Sequence, residues 1–165
     1  MKRHVAAILL ILCLPIVLLA AEPLEMSSKY LSVTMNTSPI ISGGYFLQKN
    51  LALKAGVGFA FSGEENTNGL AIRLGLDKYL GKGRLVPFLG AFTRFDINPN
   101  AVNNADWKGS RLTLGGHWGL NYFIFKQFSV AATFGAQLQM NSPKNKNSST
   151  NFSSFTSGVK LRFFF

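Results

Sequence analysis

Side chains capable of chemistry are few in this chain, and their spacing limits what they can do. His117 is one of two histidines, and the other, His4, lies near the N-terminus. A serine hydrolase needs a His to activate a Ser and a carboxylate to orient that His. At every second position around His117 stand Gly115, Gly119 and Asn121, none of them a nucleophile. The one cysteine, Cys13, lies in an apolar N-terminal run. A lone histidine with no cysteine beyond that run makes no metal ligand set. No Gly-rich loop links a strand to a helix to cradle phosphate. The reading is therefore no catalytic residue, no metal and no cofactor. His117 is expected to be a hydrogen-bonded structural residue. The remaining candidates are charges: Lys54, Arg73, Asp77, Arg94, Asp96 and Arg111, with Lys160 and Arg162 near the end of the chain.

Each of these charges sits in a segment whose polarity alternates with period two, the signature of a strand with two unlike faces. Leu51, Leu53, Ala55, Val57 and Phe59 alternate with Ala52, Lys54, Gly56 and Gly58. Leu70, Ile72, Leu74 and Leu76 alternate with Ala71, Arg73, Gly75 and Asp77. Leu89, Ala91, Thr93, Phe95 and Ile97 alternate with Gly90, Phe92, Arg94 and Asp96. The pattern predicts eight strands near 28–37, 39–47, 51–62, 69–80, 85–97, 109–123, 127–140 and 152–165. In the second, Gly43-Gly44 leaves open which face is which. In the last, Phe155, Val159, Leu161, Phe163 and Phe165 form the apolar row. Connections alternate in kind. Short turns follow the second, fourth and sixth strands, and polar segments follow the third, fifth and seventh: 63–68 (GEENTN), 98–108 (NPNAVNNADWK) and 141–151 (NSPKNKNSSTN). The first connection, around Thr37-Ser38-Pro39, is unusually short.

Which face meets water decides the class. A soluble barrel would show many Lys, Glu, Asp and Thr outside. Here the less apolar face is largely Gly, Ala and Ser with scattered charges, which suits the crowded interior of an eight-stranded barrel. The apolar face is rich in Leu and Phe, as a lipid-facing band should be. Aromatics at strand ends (Tyr30, Tyr45, Tyr79, Trp107, Tyr122 and Phe165) read as interfacial girdles. Residues 1–21 read as a cleavable signal peptide: Lys2, Arg3 and His4, then an apolar run from Val5 to Leu19, then Ala20-Ala21. That run is shorter than the ~20 residues of a spanning helix and contains Pro15. Residues 22–27 then form a linker and 28–165 the barrel. Without cysteine, the exported chain has no disulfide to stabilise it.

The chain ends Gly158-Val159-Lys160-Leu161-Arg162-Phe163-Phe164-Phe165. Alternate apolar residues and a terminal Phe resemble the C-terminal insertion signal of bacterial outer-membrane proteins, carried here by Val159, Leu161, Phe163 and Phe165. The stretch 44–53 (GYFLQKNLAL) resembles a hairpin common in the same group. The mature chain is thus similar to the small outer-membrane β-barrel family of the OmpX and OmpA-membrane-domain kind, over residues 28–165. The resemblance implies an all-β, eight-stranded antiparallel up-and-down barrel in the outer membrane of a Gram-negative cell. It implies a monomer whose partners are membrane lipids and lipopolysaccharide, with the barrel-assembly machinery during insertion. The fold hosts several functions. Lipid A deacylases carry a His-x-Ser-Asn pattern, and Gly119 stands where the Ser would be. An omptin-type protease needs acidic pairs and a larger barrel. The reading is a non-enzymatic barrel with a structural or envelope- and host-interaction role through its loops. The alternative is a narrow, anion-favouring small-solute channel; a lipid A-modifying enzyme comes third. Lys144 and Lys146 could contact lipopolysaccharide phosphates, and hairpin register places Lys54 across from Asp77 and Asp96 beside Arg111.

Charge and composition fit this picture. Lys plus Arg is 17 against 7 acidic residues, a formal net charge of +10, and charged residues are only 15% of the total. A nucleic-acid binder concentrates such charge on one face. Here it is spread over interior, turns and loop tips, so no nucleic-acid partner is expected.

Overall fold

The computed structural model describes residues 28–35, 39–60, 69–98, 109–144 and 147–165. The expected signal peptide, the linker at 22–27, Trp107 and Lys146 lie outside the described residues. Eight antiparallel strands close into one barrel in the order β1 to β8. They are β1 (Lys29–Met35), β2 (Ile40–Gln48), β3 (Leu51–Ala60), β4 (Gly69–Tyr79), β5 (Leu85–Ile97), β6 (Gly109–Phe125), β7 (Phe128–Pro143) and β8 (Ser149–Phe164). Every strand pairs with its neighbour in sequence, and β1 closes on β8 from Tyr30↔Phe164 to Met35↔Val159.

Closure leaves no free edge, so each strand can bond on both sides without a disulfide or a second layer. The pleat then sorts side chains by parity. Leu53, Val57, Ile72, Leu74, Leu89, Leu114, Trp118 and Phe134 face out and are exposed. Ser32, Ser42, Lys54, Asp77, Asp96, Thr113, Asn121, Ser129 and Arg162 face in and are buried. A continuous outward apolar belt of this extent is far larger than the patches a water-soluble monomer carries. The parity of β2 is settled by burial: Ile40, Ser42 and Gly44 point in, and Ile41 and Tyr45 point out. Gly44 is needed inside because a Cβ there would run into the Tyr30 ring.

Three sequence expectations need correction. Tyr30 and Tyr79 are not girdle residues; both are 1% exposed and belong to the interior, while Tyr45, Tyr122 and Phe165 do face out. Phe155 is exposed like Val159, but the regular ladder of β8 breaks at it. Thr156 pairs with Gly135 and Ser154 with Ala136, so Phe155 is the extra residue of a β-bulge, with φ 61°. Beyond it the parity reverses, and Phe152 pairs with outward Leu138. The bulge lets β7 and β8 continue to Pro143 and Ser149. Their connection is therefore shorter than the 141–151 segment that polarity suggested.

Candidate functional site

The barrel interior is layered along its axis, and each layer comes from a different stretch of the strands. At the turn side, inward residues at the strand ends form a ring-filled layer of Tyr30, Phe46, Tyr79, Phe88, Phe123 and Phe164. The Tyr30 and Phe164 rings lie 5.2 Å apart, Phe123 and Phe164 5.0 Å, and Tyr79 and Phe88 5.5 Å. Such aromatic pairs contribute beyond the area they bury. Five of the six inward rings are no more than 2% exposed, and Phe46 packs against them.

The next layer is built on Asp77, whose side chain is fully buried. Lys54 Nζ donates to Asp77 Oδ1 at 2.6 Å, His117 Nε2 lies 3.1 Å from the same oxygen, and Arg162 donates to Oδ2 at 3.2 Å. Arg162 also donates to the Tyr79 hydroxyl at 2.9 Å and to Asn121 Oδ1 at 3.2 Å. Its guanidinium lies 4.5 Å over the Phe88 ring, tying this layer to the one below. Ser129 donates to Asn121 at 2.9 Å. The crowding explains Gly90, where a Cβ would collide with Asp77 Oδ1 and the His117 ring.

The third layer, in the loop-side half, encloses a cavity of about 250 Å³. Its walls carry Arg73, Arg94, Asp96, Arg111, His117 and Lys160, with Thr and Gln side chains between them. Arg94 bridges Asp96 at 2.6 Å. Arg111 Nε donates to Asn141 Oδ1 at 2.6 Å, and Asn141 in turn donates to Ser149. Arg73 lies 3.8 Å over the Phe92 ring.

The six charges picked from sequence all face the interior but fall in two layers. Lys54 and Asp77 share the middle one, although Lys54 is register partner to Gly75, so the bridge is diagonal rather than directly across. Asp96 and Arg111 are register partners. Arg162 and His117 were missed as partners of Asp77, and Tyr79 and Asn121 as partners of Arg162. Parity placed three of them inside, but a contact spanning the interior from β4 to β6 or β8 leaves no mark in nearest-neighbour register. His117 Nδ1 is buried with no hydrogen-bond partner. No group of three or more His, Cys, Asp or Glu among the described residues could hold a metal. Val159, Phe163 and Phe165 face out on β8 and the chain end, and Leu161, half-buried, shares their parity.

No protein-family model matches the chain, and no curated protein matches it by sequence. Solved structures do. The N-terminal β-barrel domain of Pseudomonas aeruginosa OprF is 17% identical, with TM-score 0.52, covering 87% of this chain and 100% of that one. Neisserial surface protein A is 14% identical, with TM-score 0.51, covering 83% of this chain and 93% of that one. At such identities the likeness is one of fold. It agrees with the sequence's resemblance to small outer-membrane barrels.

Proposed function

We propose that the chain is a non-enzymatic, monomeric barrel of the bacterial outer membrane, exported by the segment at 1–21. Its loops reach the exterior and carry an envelope- or host-interaction role. The observation behind this reading is the inversion of the barrel: an exposed apolar belt outside, charges and small polar groups inside. Lipid is the solvent that makes such a surface favourable, and a closed barrel satisfies every strand there. One fold neighbour is named as a surface protein, which agrees with loops presented outside the cell.

Two features support a passive rather than a catalytic or conducting interior. The Asp77–His117 pair resembles part of a hydrolase triad, yet the His117 nitrogen that would activate a hydroxyl has no hydrogen-bond partner. The position two residues on is Gly119, which packs against the Phe88 ring. The turn-side rings and the Asp77 cluster, packed one on the other, oppose a continuous path for solute. Cell fractionation and detergent-gel migration test the reading. Recovery in the outer-membrane fraction, with mobility that shifts on heating, is expected; a soluble periplasmic protein would overturn it.

A further inference from the structure

The loop-side layer is built differently from a compensated ion-pair network. Arg73 and Arg94 are direct register partners on β4 and β5, and both face the cavity. Like charges directly opposite on one sheet face destabilise the pair. Arg111 follows on β6, paired in register with Asp96, so three adjacent strands present three guanidinium groups to one space. Lys160 lines the cavity from β8. The one carboxylate among the described wall residues, Asp96, is bridged by Arg94. Asp77, below, already serves Lys54, Arg162 and His117. Arg73 Nε is buried with no hydrogen-bond partner, and Phe92 beneath its guanidinium fixes the plane of that fork. A surplus of cations facing one confined interior space is costly unless an opposite charge joins them, and the cavity leaves room for more than a single water.

We propose that this cavity is a binding site for a small soluble oxyanion of the phosphate class, inorganic phosphate or a short phosphate monoester. Planar guanidinium forks match the paired oxygens of such an anion, and Thr113, Thr133 and Gln137 offer hydroxyl and amide donors around it. Low-dielectric walls concentrate the field of the arginines on an anion held in the cavity. The aromatic layer makes the site a closed-ended one, so binding does not require passage through the barrel. The proposal stands on the interior alone and is independent of where the protein resides in the cell.

The test uses the full barrel folded in a phosphate-free maltoside detergent at constant chloride. Phosphate and glycerol phosphate are titrated by calorimetry, and the arginine Nε–H resonances are followed by NMR. Saturable one-site binding is expected, with shifts at the Arg73, Arg94 and Arg111 side chains. Arg73→Gln and Arg94→Gln should each weaken it at least tenfold, and Lys126→Gln, in the β6–β7 turn, should leave it unchanged. If one arginine variant fails the heat-modifiability check for folding, the other and Arg111→Gln carry the comparison. The wild-type NMR shifts need no variant at all. Non-saturable binding, equal affinity in all variants, or shifts confined to turn lysines would overturn the proposal. So would binding seen only when phosphatidic acid is doped into the micelles, because the anion would then sit on the lipid-facing surface.

Discussion

The turn-side and loop-side halves of the interior face the same problem, filling a narrow tube, and answer it in opposite ways. The turn-side half is closed by aromatic rings and a carboxylate with three cationic or imidazole partners. The loop-side half gathers more cations around Asp96, the one carboxylate among its described wall residues, and it encloses a cavity. The difference separates what holds the barrel together from what is left over for binding. Turn-side residues are locked by close packing, so truncation there should destabilise the barrel. Loop-side residues line the cavity, so truncation should change what the cavity attracts.

The largest effect should come from Asp77→Ala. Removing one partner of a buried ionic cluster leaves Lys54 and Arg162 uncompensated, at a cost of about 3–5 kcal/mol, read as a lower urea midpoint for the folded barrel in detergent. Phe88→Ala should follow closely, because truncating a buried Phe costs roughly 3–5 kcal/mol. It also opens the layer under Arg162, so planar-bilayer recordings should show a larger conductance than wild type. A wild type that conducts in discrete steps lost on substituting Arg94 or Arg111 would erase the contrast between the halves and favour the channel reading. Gly90→Ala should cost about 1–3 kcal/mol by overpacking against Asp77 and His117. Asn141→Ala, which removes a loop-side acceptor from Arg111, should cost only about 1 kcal/mol. A loss at Asn141 equal to that at Asp77 would contradict the division.

Much of the architecture was legible in the chain because a barrel strand has one inside and one outside, and period-two alternation records that directly. Inward Lys54, Arg73 and Asp96 and outward Leu74 and Phe95 follow from parity alone. Parity does not record depth along the axis. Tyr30 and Tyr79 lie at strand ends, where a girdle residue and an interior ring look alike in sequence. Nor does it record contacts across the tube, so the link from Asp77 to Arg162, 85 residues apart, had no local signal. The outward placement of Phe152 was missed because a bulge at Phe155 inserts one residue and reverses the alternation beyond it.

The central claim is that the outer apolar face meets lipid, and Trp118 probes it directly. It lies on that face, 49% exposed and 5.5 Å from the Phe134 ring. With Trp107→Phe as background, the barrel is folded into vesicles whose lipids carry bromine deep in the acyl chains. Blue-shifted Trp118 emission, quenched by the brominated chains and indifferent to aqueous iodide, is the predicted result. Red-shifted emission quenched by iodide and untouched by the lipid bromines would contradict the account.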